Sequence, residues 1–171
     1  MNMKQLMKTL ALAAVALLFA ANSFGQASAT ANATATIVAP IAIANTSALA
    51  FGNVAVSATN LGTVTVATDG SRSALLGVTL PVVAGTVSAA AFTVTGEGTS
   101  TYAITLPVAA VTLTGSGGGT MTVDTFTSNP SGTGTLAAGT QNIAVGGTLH
   151  VGAAQTPGNY TGSFTVTVNY N

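Results

Sequence analysis

From residue 30 to the C-terminus, apolar residues alternate with hydroxyl-bearing ones in short runs. Val64 and Val66 alternate with Thr63 and Thr65, Phe92 and Val94 with Thr93 and Thr95, and Val111 and Leu113 with Thr112 and Thr114. Tyr102, Ile104 and Leu106 share one face of a further run, and Met121 with Val123, Ile143 with Val145 and Leu149 with Val151 continue the pattern. A period of two marks half-buried strands. Threonine suits the wet face, because its β-branch favours extended backbone while its hydroxyl meets water. Turn-forming stretches separate the runs: Asp69-Gly70, the glycine-rich 115–119, Asn129-Pro130-Ser131-Gly132, Gly146-Gly147 and Pro157-Gly158-Asn159. The pattern predicts an all-β domain of about nine or ten short strands, folded as a two-sheet, immunoglobulin-like sandwich. An outer-membrane barrel would need longer strands and girdles of aromatic residues.

The last run is the most regular. Tyr160, Gly162, Phe164, Val166, Val168 and Tyr170 alternate with Thr161, Ser163, Thr165, Thr167 and Asn169. One strand reaching to the terminus is predicted, with Phe164, Val166, Val168 and Tyr170 buried at a gain of roughly 1.5–3 kcal/mol each.

The N-terminus reads as an export signal. Lys4 and Lys8 precede an apolar run from Leu10 to Ala21, and the small residues Ala27, Ser28 and Ala29 suit signal peptidase. The run is shorter than the about 20 residues of a membrane-spanning helix. A signal-peptide helix over 1–29, cleaved after Ala27 or Ala29, and a single domain over 30–171 are expected, with export to the cell surface or beyond. No long apolar stretch follows, so no transmembrane segment is expected in the mature chain. Just downstream, Ala31, Ala33, Ala35, Ile37, Ala39, Ile41 and Ile43 alternate with Thr30, Asn32, Thr34, Thr36 and Val38. This alternation over 30–43 is either the first strand of the domain or a strand free to be donated elsewhere. In the second case its bulk comes from Ile37, Ile41 and Ile43.

Charge narrows the function. Only 4% of the 171 residues are charged, and Arg72 is the one basic residue after Lys8. A nucleic-acid binder needs Lys and Arg against phosphates, so that class is excluded. Cysteine is absent, which removes disulfides, thiolate metal sites and cysteine nucleophiles. Catalysis is not expected: His150 stands alone between Leu149 and Val151, Glu97 reads as a loop residue, and Asp69 is expected to pair with Arg72 at a hairpin turn. Asp124 and Asn129 fall short of the oxygen ligands calcium takes. The 115–119 loop lacks the lysine of a phosphate-binding loop. No cofactor or metal is expected. The triplets starting at Asn32, Asn45 and Asn159 match a glycosylation pattern common by chance in a threonine-rich chain.

The segments Leu49-Ala50-Phe51-Gly52-Asn53-Val54, Gly62-Thr63-Val64-Thr65-Val66, Phe92-Thr93-Val94-Thr95-Gly96, Met121-Thr122-Val123-Asp124-Thr125-Phe126 and Pro157-Gly158-Asn159-Tyr160-Thr161-Gly162 resemble a secreted family, number 4402 among the domains of unknown function. More remotely, the chain is similar to spore coat U domains and to pilins of the chaperone–usher route. Tyr170 is penultimate and Gly158 fourteenth from the end, as in those pilins; the absence of cysteine departs from many of them. In pilins a sandwich lacking one strand receives a neighbour's N-terminal strand, and head-to-tail repetition of that contact builds a fibre. The resemblance implies a structural subunit of a surface fibre or coat, with adhesion as a further role, and copies of itself, a periplasmic chaperone and an outer-membrane usher as partners. The alternatives are a self-complete monomeric surface domain binding a glycan or protein, and an ice- or surface-binding protein using flat threonine rows. For the latter no coil repeat is present.

Overall fold

The computed structural model describes residues 2–8 and 25–171. The chain divides into two units, Met1–Thr36 and Ile37–Asn171. In the first, residues 3–8 are helical and residues 25–36 are exposed and belong to no helix or strand. The apolar run Leu10 to Ala21 lies outside the described residues. Among the described residues no helix is long and apolar enough to cross a membrane.

The second unit is built from strands: β1 Ala42–Ser47, β2 Ala50–Phe51, β3 Ala55–Val56, β4 Gly62–Val66, β5 Arg72–Leu76, β6 Val78–Thr79, β7 Val87–Ser88, β8 Ala90–Thr95, β9 Thr101–Thr105, β10 Val111–Gly115, β11 Thr120–Asn129, β12 Thr133–Thr135, β13 Thr140–Val151, β14 Tyr160–Thr161 and β15 Thr167–Tyr170. They outnumber the predicted nine or ten because the two-residue ladders β2, β3, β6 and β7 form outside the alternating runs and the C-terminal run divides, although the runs on either side of Gly146-Gly147, expected to be a turn, join in the one strand β13. The large sheet runs β1-β8-β13-β11-β10-β14, and β4 pairs with β13 and carries β5 beyond it. The second sheet is β12-β9-β15; β2 pairs with β7 and β3 with β6. Every pairing is antiparallel.

Strand β13 organises the large sheet. Thr140–Val145 pair with β8, and Gly147–Val151 pair with β4. Gly146 stands where the partner changes, and a side chain there would run into the Val66 carbonyl.

The core has two parts. In the first, Ala90, Phe92, Val94, Ile143 and Val145 of the large sheet meet Tyr102, Ile104, Leu136, Val166 and Val168. This is an all-β sandwich with inward residues interdigitating between two layers. Tyr102 is fully buried, and its hydroxyl donates to Gln141 Oε1 at 2.6 Å. Burial raises the Tyr102 pKa. The second part holds Val64, Val78, Val123, Leu149 and Val151. Against it pack Leu49, Phe51, Val54, Leu113, Met121 and Phe126, all only partly buried.

Two runs differ from expectation. The C-terminal run is not one strand: Tyr160 and Thr161 pair with β10 in the large sheet, whereas Thr167–Tyr170 pair with β9 in the second. Residues 162–166 cross between layers. Burial still alternates, with Val166 and Val168 buried and Thr165, Thr167 and Asn169 exposed, because extended backbone keeps a period of two whether or not it has a partner. At the other end, pairing begins at Ala42 rather than near residue 30. Pro40, with no N–H to give a ladder, stands just before it.

Candidate functional site

The second core opens into a cleft of about 830 Å³. Its floor is the inward face of β10, β11 and β13, with Val111, Leu113, Met121, Val123, Leu149 and Val151. One wall is the chain from Ala48 to Val54; the other runs from Gln155 to Gly162 and ends at Phe164. No lining residue carries a charge. Among the described residues strand β2 pairs with β7 alone and β14 with β10 alone, so the strands in the two walls are each paired there along one edge only.

Both walls are held by polar contacts outside the apolar floor. The Arg72 guanidinium donates to the carbonyls of Phe51 at 2.7 Å and Asn53 at 3.0 Å. The expected pairing of Arg72 with Asp69 is therefore replaced by a clamp on the first wall. Asp69 instead accepts the Ser71 N–H at 2.8 Å within the β4–β5 turn; hydrogen bonding from the Ser71 side chain, and then from its backbone N–H, lowers the Asp69 pKa. On the second wall, Gln155 Nε2 donates to the Tyr160 hydroxyl at 2.7 Å, and that hydroxyl donates to the Thr156 carbonyl at 2.6 Å. Phe164 packs on Phe126 with ring centroids 4.8 Å apart and meets Phe92 edge-on at 6.3 Å. Gly162 lets the crossing pass closely over Thr112 and Leu113, where a Cβ would not fit.

The sequence-predicted residues divide between the core, the cleft and the N-terminal arm (residues 25–40). Val166 and Val168 lie in the first core, with Phe164 and Tyr170 against it; Gly158 and Tyr160 line the cleft. Ile41 and Ile43 also pack against the first core, and Ile43 pairs with Val94. Ile37 is 97% exposed. Ala39 is held within the second unit: its N–H donates to Glu97 Oε2 at 3.1 Å and its carbonyl accepts the Tyr170 hydroxyl at 2.9 Å.

One polar pair escaped the sequence reading. His150 is exposed between buried Leu149 and Val151, as the alternation requires, but its Nε2 lies 2.8 Å from Asp124 Oδ1. Thr125, at φ 49° where the register of β11 slips, donates its hydroxyl to the same oxygen at 2.9 Å. The hydrogen bond with His150, more than that of Thr125, holds the Asp124 carboxyl below its usual range. The two residues are 26 positions apart, and only the register of β11 on β13 brings them together. Among the described residues no three His, Cys, Asp or Glu side chains gather as a metal site.

A family model described as a domain of unknown function, DUF4402, matches residues 41–170. The chain belongs to that family. The matched span begins at Ile41, so it takes in both cores and the cleft and leaves residues 25–40 outside. No curated protein matches the chain.

Proposed function

We propose that this protein is an exported structural subunit of a surface fibre or coat, assembling when the N-terminal arm of one copy adds as a strand to the cleft of the next. The observation that carries this reading is the pairing of an uncharged apolar cleft with an uncharged, exposed, alternating arm in one chain. The cleft walls present strand edges without a second neighbour among the described residues, and an added strand would satisfy them while its alternate side chains cover the floor. The segment 25–40 has no charged residue, so no ionised group opposes its burial there. Ile37 supplies the largest free aliphatic group, whereas Ile41 and Ile43 stay with their own core. A contact between different surfaces, repeated head to tail, does not close and grows a filament. Export by the N-terminal signal and delivery by a periplasmic chaperone and an outer-membrane usher fit this reading, as does an adhesive role for the finished fibre.

Purified mature protein should form ladders in cold detergent that collapse on boiling. A single monomer at high concentration would favour the self-complete surface domain instead.

A further inference from the structure

The large sheet ends at β5 in an unguarded edge. The Gly77 N–H donates to the Leu61 carbonyl at 3.1 Å, and the Ala67 N–H to the Ser71 carbonyl at 2.9 Å. Between these bonded pairs the register sets Thr63 opposite Leu75 and Thr65 opposite Ser73. Antiparallel ladders alternate bonded and non-bonded pairs, so the N–H and C=O groups of Arg72, Ala74 and Leu76 point away from β4. Among the described residues no other strand pairs with β5.

Natural sheets protect such edges with charge, proline, bulges or a covering segment. Here the one charge, Arg72, is spent on the carbonyls of Phe51 and Asn53, and 72–76 contains no proline. Leu75 is 66% and Leu76 80% exposed. Leu76 also holds φ 61°, a conformation costly for a residue with a Cβ. Leu61, one residue before the Gly62 that pairs with Leu76, is 64% exposed.

We infer that β5 pairs edge to edge with β5 of a second copy, antiparallel about a two-fold axis at Ala74. In that register the strand is its own complement. Ala74 meets Ala74 and Arg72 meets Leu76, which joins the outward-pointing backbone groups; Ser73 stands opposite Leu75 in the closer, non-bonded pair. The two Leu75 side chains lie diagonally across the axis, within reach of each other. No like charges oppose, because Arg72 stands opposite Leu76 and its guanidinium is engaged within its own chain. An isologous contact closes at two copies, so this edge joins subunits side by side and does not lengthen a filament. It uses no residue of the arm or cleft and stands or falls independently of strand donation.

The test uses the natural absence of cysteine. Full chains carrying Ser73→Cys and Leu75→Cys, one isotopically heavy, are mixed, oxidised and weighed by mass spectrometry. The mixed disulfide dimer should exceed either same-position dimer at least tenfold, and equally so when both chains also carry Ile37→Asp. Adding Ala74→Pro removes an outward N–H without touching the β4 ladder, and Leu76→Lys places a charge on the edge; each should abolish the excess at an unchanged melting temperature. A mixed dimer at no more than the about twofold excess that random pairing gives, or one undiminished by both edge variants, would overturn the inference.

Discussion

The hydroxyl of Tyr170 donates to the carbonyl of Ala39 at 2.9 Å and accepts the N–H of Glu97 at 2.6 Å. Tyr170 thereby ties Ala39 to the loop at Glu97. Gly96 makes room for it, since a Cβ there would strike the same hydroxyl. Tyr170→Phe keeps the ring on the first core and removes both bonds. The expected cost is about 0.5–1.5 kcal/mol per bond lost, read as a lower melting temperature together with faster hydrogen exchange at Ala39. Exchange at Ala39 equal to the native rate would show that the hydroxyl anchors nothing.

Ile37→Asp should stop assembly and leave the fold untouched. The side chain is 97% exposed, so a carboxylate costs nothing in the free subunit, but it cannot be buried unpaired in an apolar cleft. Electron microscopy should show no filaments from a protein whose melting curve matches the native one. Filaments of normal length would remove Ile37 from the contact.

Val166→Asp should prevent folding. Val166 sits in the first core at 7% exposure, and a charge there has no partner, a mechanism among the most damaging known for single substitutions. Circular dichroism should show no cooperative transition. A native-like melt would mean that the face assigned to the crossing is wrong.

The Asp124–His150 contact predicts a modest acid sensitivity. The folded Asp124 titrates below its ordinary value of 3.8, so its contribution is complete above that pH and is lost as pH falls through the folded value. Asp124→Asn should lower stability modestly at neutral pH, where the ionised carboxylate contributes fully, and flatten the fall below about pH 4, so that the two proteins converge in acid. Melts across pH 2–7 that superimpose for the two proteins would leave the contact without weight in stability.

The hydrophobic alternation carried most of the fold. Val64, Val94, Ile143 and Val168 are buried as their positions in alternating runs require, because side-chain direction follows from period two alone. Which strand lies beside which is a different kind of fact. The alternation from Tyr160 to Tyr170 is real, yet it spans two sheets, since a change of partner leaves the pattern intact. The arm shows the converse: alternation from Ala31 to Ala39 accompanies no ladder among the described residues. From the sequence Arg72 reads as a local partner of Asp69, because sequence neighbours are visible there and the carbonyls of Phe51 and Asn53 are not. The cleft itself was illegible, for its walls come from segments about a hundred residues apart and its floor from three strands whose order only the fold sets.

The most direct test of strand donation joins the arm of one molecule to the cleft of another. Full chains bearing Ile37→Cys and Met121→Cys, one of them mass-labelled, are combined under assembly conditions, oxidised, boiled and examined by mass spectrometry. Strand donation predicts a mixed arm-to-cleft disulfide as the dominant two-chain species. Assembly without that species, or no association at all, would contradict it.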